Sequence, residues 1–475
     1  MDEFIKPLGD KGFRTTGGFM ADMNRSYKGL SSSHGGLRWG RFTTRIPILH
    51  TRIEWPELWQ GILVSGTTGL AFVPILERLY GLSFEQAIAF IFVQSILIGS
   101  AAIVFGEPFA PGWITPALPL VLSFLDQSAT GPQQRMQLMA AMAIDFSLLL
   151  FILGLTGWGR KLFESIPAVL RGGILLGAAL SAMQRILQVE HGRFLGSQPV
   201  TLLVSTGATL FFLYSMPLRS SKSGQGWLMP VIRMGLLPGL VMGGIVGALS
   251  GELRFSPEWK GWIQIPPFGE MLAHVSPFAI GFPPVQHFVE AFPLALISYA
   301  ILFADLVTGQ SLLESAKASR ADDPVSVDLE RSHYSIAIRN LAMSVLCPFF
   351  STQGCLWTGA HVIILERWKR GRDEMPSLFG GISSYYVLGI PVLYLCIPLI
   401  TGVRPLMEAT LFLTLALSAY VCASLAFKLP CSSTECGTLF LIGVGLAVFP
   451  PWIGLLAGLV LAGLLCGWKG HFETE

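Results

Sequence analysis

The sequence predicts an all-α polytopic membrane protein with about 14 transmembrane segments in two inverted seven-segment repeats, segments 3 and 10 each being broken by a short extended stretch. Three observations carry this: a low charged fraction, apolar runs of helix-spanning length, and two runs interrupted by Gly and Pro. Of 475 residues, 52% are hydrophobic and 13% charged, against about 25% charged in a typical soluble domain. A compact body of that composition lacks the polar surface to stay dissolved. The runs are near-continuous over roughly twenty residues, as helices crossing about 30 Å of hydrocarbon require, and do not alternate as barrel strands do.

The same composition excludes other classes. Net charge is +2, with 32 basic and 30 acidic residues and no basic tract interleaved with aromatics, so nucleic acid is not an expected partner. All seven cysteines (Cys347, Cys355, Cys396, Cys422, Cys431, Cys436, Cys466) lie in the second half. Their odd number and apolar settings read as small hydrophobes, not a disulfide framework. Cys431 and Cys436 have no His or further Cys at zinc spacing, so no metal is expected there. No HExxH, GxSxG or P-loop pattern occurs, so neither an enzyme nor an ATP-driven pump is expected. The first apolar run begins near residue 60 after a basic arm, so the first helix serves as its own insertion signal.

The third and tenth segments, at about 114–126 and 358–369, are short, and each follows a Gly/Pro-rich or polar stretch still at membrane depth. Irregular backbone cannot face lipid with its N–H and C=O groups unpaired, so both stretches must line a cavity enclosed by protein. Seven segments separate them, and Gly112-Trp113-Ile114-Thr115-Pro116-Ala117 aligns with Cys355-Leu356-Trp357-Thr358-Gly359-Ala360. An odd repeat of seven inserts its second copy upside down. Thr115 is predicted as an N-cap with Pro116 at the first helical position, and Thr358-Gly359 as a looser copy. Two half-helix N-termini would then converge on one cavity, favouring an anion or a carbonyl-rich planar solute.

Basic residues set the orientation. With both termini cytoplasmic, only Arg78, Arg135, Arg185, Arg193, Arg254, Lys260 and Arg404 fall on the outer side, and the run Arg367 to Arg372 is retained inside.

The layout, with GEPFAPGWITPALP and STQGCLWTGAHVII at the breaks and SYAILFADLVTGQSLLES in segment 8, resembles the nucleobase/ascorbate permeases and the sulfate-permease anion carriers over about residues 55 to 467. The stretch Ser165-Ile166-Pro167-Ala168-Val169-Leu170-Arg171-Gly172-Gly173 is similar to the start of the gate domain in nucleobase permeases. The resemblance implies a cytoplasmic arm (1–56), a core domain (57–165 and 291–379), a gate domain (166–250 and 380–467), an outer loop (251–290) and a short tail (468–475). It further implies a homodimer through the gate domain. The nucleobase permeases usually carry Glu in segment 8 and a second acidic or amide residue in segment 10. Here those places hold Asp305, and Gln353 with His361.

An intramembrane carboxylate is a functional candidate by default. Asp305 shares a helical stripe with Ser298, Thr308 and Leu312, with Gly309 beside it, and is expected to take up H⁺ or to coordinate Na⁺ with nearby hydroxyls. Glu107 is either a second ionisable group at the cavity or part of a turn with Gly106 and Pro108. His361, three residues into its half-helix, is a candidate neutral hydrogen-bonding partner of substrate. Asp145 is expected to pair with Arg339 or another core group. Ser65-Gly66-Thr67-Thr68-Gly69 lines the site or serves helix packing.

The expected function is a multi-pass secondary transporter in a bacterial inner membrane, coupled to H⁺ or Na⁺ and moving a nucleobase-like solute or small organic anion. The alternative is a sulfate-permease-like carrier or channel for sulfate or bicarbonate. Cysteines introduced through 107–115 and 353–358 should be protected from thiol reagents by substrate; labelling from the lipid phase would rule out the inverted-repeat arrangement.

Overall fold

A computed structural model of the chain describes residues 35–215, 234, 236–259, 261–429 and 432–467. The first 34 residues of the arm, Lys260, Cys431, the start of the seventh segment, the tail at 468–475 and the side chains of 64–67 lie outside what is described.

The described chain is mostly helical, interrupted by extended stretches before Thr115 and before Thr358. Among the described residues seven helices are long and apolar enough to cross a bilayer: α1 (Trp55–Tyr80), α2 (Phe84–Ile103), α4 (Pro132–Thr156), α5 (Ala168–Val189), α8 (Val285–Lys317), α11 (Leu378–Leu395) and α12 (Ile397–Ala426). Four shorter apolar helices accompany them: α6 (Pro199–Tyr214), α7 (Leu237–Leu249), α13 (Ser433–Val448) and α14 (Pro451–Cys466). The remaining elements are α3 (Leu118–Ser128), α9 (Leu329–Leu346) and α10 (Thr358–Trp368). The protein is a multi-pass membrane protein.

Local chemistry fixes several helix ends. Ser83 and Gln86 form a reciprocal capping box at the start of α2, as Ser432 and Glu435 do for α13. Asp328 accepts from the Glu330 and Arg331 N–H groups to open α9. The apolar run that follows residue 380 continues to about residue 400, but α11 stops at Leu395. Cys396 is extended and bridges Ile263 of the outer loop, with Gln264 N–H donating to the Leu395 carbonyl at 3.0 Å. That long-range pairing, absent from local sequence, takes the backbone groups the helix would have used.

Two sets of helices pack among themselves. In one, α4 lies against α8 and α9, and α1 against α11. In the other, α5 packs on α12 and α13, α13 on α14, and α6 on α7. Glycine brings the second set close. A Cβ at Gly239, Gly243 or Gly247 would overlap the hydroxyls of Thr209, Ser205 and Thr201, one helical turn apart on α6. Bare glycine faces against small hydroxyl residues are how helices associate in lipid, where no hydrophobic force drives them together.

The described part of the N-terminal arm is docked. A hairpin of β1 (Leu37–Trp39) and β2 (Phe42–Thr44) lies over the end of α2. Thr44 Oγ1 donates to the Val104 carbonyl (3.1 Å), Arg45 N–H to that of Ile103 (2.6 Å), and Phe42 meets Phe105 edge-on at 5.1 Å. Arg41 pairs with Glu330. On the loop after α8, the buried Arg320 donates to the carbonyls of Trp368 (2.6 Å) and Met375 (2.9 Å) and to Asp322. Its hydrogen bond holds the exposed Asp322 carboxyl below the usual range.

Gly243→Leu should overpack the α6–α7 seam and cost about 1–3 kcal/mol. The thermal melting temperature in detergent should fall accordingly, and a melt identical to the parent's would contradict the close approach.

Candidate functional site

The site begins with two pieces of chain that cannot be helical. Between α2 and α3 stand Gly106, Pro108, Pro111 and Gly112; between α9 and α10 stand Pro348 and Gly354. Proline withdraws a donor and glycine lowers the cost of extended backbone. The two stretches satisfy each other. Trp113 and Gln353 face across an antiparallel bridge, with Ile114 N–H donating to the Thr352 carbonyl (2.9 Å) and Gly354 N–H to that of Gly112 (2.7 Å). A further bond joins Trp357 N–H to the Ala110 carbonyl at 2.7 Å.

This pairing determines where the half-helices start. Ile114 and Trp357 occupy the cap positions with no side-chain cap bond, so Thr115 and Thr358 are first helical residues and not the N-caps expected from their type. The register of a long-range pairing has overridden local cap preference.

The two N-termini also differ as donors. Thr115 N–H turns back to the Trp113 carbonyl (2.8 Å), Pro116 has no N–H, and Ala117 N–H bonds to Ile114 (3.1 Å). On α10 the first helical bond is His361 N–H to Trp357 (2.9 Å), so the N–H groups of Thr358, Gly359 and Ala360 precede the ladder. Thr358 and Gly359 are exposed, whereas Thr115 is half-buried. The expected pair of converging donor ends is thus one donor-bearing end and one that is self-satisfied.

Behind the crossing lies a buried polar brace. Gln353 Oε1 accepts from Arg339 Nη1 (3.1 Å), and Gln353 Nε2 donates to Gln94 Oε1 (3.3 Å), which also accepts from Trp113 Nε1 (3.3 Å). Arg339 Nη2 donates to the Gly354 carbonyl at 3.0 Å. Asn340 pairs with the Gln353 backbone like a neighbouring strand, accepting from its N–H (2.8 Å) and donating to its carbonyl (2.9 Å). Gln353 is therefore fully engaged by protein.

His361 is fully buried, its Nδ1 accepting from Ala110 N–H at 3.2 Å, which places the ring proton on Nε2, where no protein partner is found. It pins α10 to the first extended stretch.

Asp305 lies on α8 one turn before Gly309, which packs against Phe109 and Leu356 of the two stretches. Asp305 is half-buried, and no hydrogen bond or ion pair to it is found among the described residues. It lies in electrostatic range of Cys355 beside the crossing and of Cys422 on α12. Thr308 is exposed and donates to the Ala304 carbonyl (2.8 Å), leaving its lone pairs free, while Ser298 is buried with an unpartnered hydroxyl. Toward the end of α8, Ala304, Thr308, Ser311 and Ser315 form an exposed small and polar stripe.

Two expectations fare differently. Glu107 accepts from Ser332 Oγ (2.6 Å) and faces Arg331 at 3.4 Å, tying the first stretch to α9, and it lies in electrostatic range of Arg339 and Cys355 at the crossing. Asp145 does not pair with Arg339, whose guanidinium is taken by Gln353 and Gly354; Asp145 Oδ2 is buried without a partner. Among the described residues no group of three His, Cys, Asp or Glu is placed to hold a metal. Gln94 and Asn340 were not singled out from sequence, although each is an amide inside an apolar segment, the one signal available.

Asn340→Leu should leave the Gln353 N–H and carbonyl unpaired at about 1–3 kcal/mol each. Denaturant or thermal melts should register the loss, and an unchanged melt would remove the brace from the account.

No family model and no curated protein matches the chain. Solved structures do. The murine Solute Carrier 26 family member A9 anion transporter, in the inward-facing state, aligns at 12% identity over 94% of this chain and 75% of its own, with a TM-score of 0.51. A second structure of SLC26A9 gives 12% identity, 88% and 66% coverage, and 0.51. The transmembrane domain of the cyanobacterium bicarbonate transporter BicA aligns at 14% identity over 86% of this chain and 99% of that one, with a TM-score of 0.48. At such identities the likeness is one of fold alone.

Proposed function

We propose that the chain is a secondary transporter of a small anion, working by alternating access between a core of α1–α4 with α8–α11 and a gate of α5–α7 with α12–α14, α11 being taken into the core, beyond the boundary expected at residue 379, because it packs on α1. The observation that carries the reading is the row of N–H groups at Thr358, Gly359 and Ala360 that precede the helical ladder, the first two on exposed residues at a helix N-terminus beside the crossing. Backbone donors at the positive end of a helix dipole suit an anion and need no cationic side chain. The murine neighbour of the same fold is an anion transporter, which favours this reading over a nucleobase solute.

Asp305 supplies the coupling. An unpaired carboxylate next to an anion site is unfavourable unless a cation accompanies it, so H⁺ or Na⁺ bound at Asp305, with Thr308 contributing its oxygen, offsets the repulsion. Ser298, Thr115 and the His361 Nε2 proton complete the polar surroundings. A dimer through the gate helices belongs to the same proposal. So does the orientation with both termini cytoplasmic.

Proteoliposome uptake of bicarbonate, sulfate and dicarboxylates against uracil and xanthine, under imposed H⁺ or Na⁺ gradients, tests the reading. Saturable uptake of an anion is expected, and uptake of uracil or xanthine alone would overturn it. Asp305→Asn should abolish dependence on the cation gradient. Thr358→Pro removes one donor at a position where proline suits the helix and should raise KM about tenfold; Thr358→Val, which keeps the N–H, should change it far less.

A further inference from the structure

A second set of charges links the two helix sets far from the crossing. Asp126 Oδ2 at the end of α3 accepts from Arg185 Nη1 at 2.8 Å, Arg185 Nη2 donates to Glu190 Oε1 at 3.1 Å, and Glu190 Oε2 accepts from Arg78 at the end of α1. The row Asp126, Arg185, Glu190, Arg78 alternates in sign, its outer members on the core and its inner members on the gate. Arg185 and Glu190 have side chains only 3% exposed. Both flank the π-helical turn Arg185–Val189 at the end of α5. Alongside, Arg404 of the gate faces Glu77 of the core at 3.6 Å, and its guanidinium lies 4.1 Å over the ring of Phe84. Arg193 and Glu408 pair within the gate and brace the same corner.

The position of this row along the cleft gives it meaning. It sits where α1, α3 and α5 end and α12 begins its long apolar run. α8 starts at that same end, since Gln133 and Gln137 in the first turns of α4 donate to the carbonyls of Ile280 and Gly281 just before it. The exposed stripe Thr308, Ser311, Ser315 belongs to the other end of α8. Core and gate are therefore tied by ion pairs at one end of the cleft, while polar side chains are exposed at the other.

We propose that the ion pairs Asp126–Arg185, Arg78–Glu190 and Glu77–Arg404 form a lock that holds the cleft closed at this end and must break for it to open there. The proposal rests on the core–gate division but not on the identity of the solute. Separating core from gate breaks all three pairs, and this attraction across the interface biases the equilibrium toward the closed end, offset in part by the hydration that Arg185 and Glu190 regain on opening. On α5, Ser181 lies one turn below Arg185 on the same face, fully buried and with an unpartnered hydroxyl, where opening would expose it.

Cysteine labelling without substrate tests this, so its outcome is independent of the anion reading. Ser181→Cys reports the locked end and Ser311→Cys the open one, each measured with a membrane-impermeant maleimide over the labelling of the parent chain. Asp126→Asn and Glu190→Gln should each raise the ratio of labelling rates, 181 over 311, by at least about tenfold. Asp126→Glu, which keeps the charge, should leave the ratio near the parent's. Asp126 is 35% exposed, so its variant guards against misfolding of the Glu190 one. An unchanged ratio in monodisperse protein, or an equal rise at both positions, would show a mere structural staple and overturn the lock.

Discussion

Everything at the centre of the molecule depends on one short antiparallel pairing, Trp113 against Gln353. Extended backbone inside a bilayer has no water to satisfy it, so either stretch alone would be untenable at that depth. Each satisfies the other, and the polar brace of Gln94, Arg339 and Asn340 completes the second stretch from behind. The register then fixes which residues begin the half-helices, and so which N–H groups are left over. A helix N-terminus, a carboxylate on α8 and a buried guanidinium are arranged around a contact of only a few bonds.

The pairing also explains how polar atoms coexist with close packing. Around the crossing, Phe72, Trp113 and Phe349 meet at ring distances of 5.0 to 5.3 Å, and Gly309 lets α8 approach Phe109 without an intervening side chain. Aromatic walls exclude water from the brace and strengthen its hydrogen bonds, as a low dielectric does for every satisfied group. Thr358, Gly359 and Thr308 are exposed and Asp305 is half-buried, whereas Gln353, Arg339, Asn340 and Gln94 are fully buried.

Much of this was legible in sequence, because Gly and Pro act locally. Gly106, Pro108, Pro111 and Gly112, clustered in one short stretch, oppose a helix there, and a lone Asp305 in an apolar run needs a reason. What sequence could not show depends on partners far away in the chain. Thr115 and Thr358 have the chemistry of caps, but the cap positions were assigned by bonds reaching from 110 to 357 and from 114 to 352. Glu107 and Asp145 read alike as buried acids, yet one found Ser332 and Arg331 while the other found nothing. Asn340 and Gln94 are single amides that hydropathy averages away. The described part of the arm is held at Val104 and Phe105 by a hairpin whose contacts no periodicity announces.

The difference between the two half-helix ends divides labour between the halves of the chain. Their backbones mirror each other across the crossing, but Pro116 and the turn at Trp113 close off the first half, while Gly359 leaves the second bare. Damage to the first stretch would then surface as a protein that is harder to make or keep folded. Damage confined to the first turn of the second half-helix, outside the Gln353 brace, would on the proposed function surface as a well-folded protein that has lost its grip. Twofold architecture here coexists with one-sided chemistry, and a solute bound at such a site has a defined front and back.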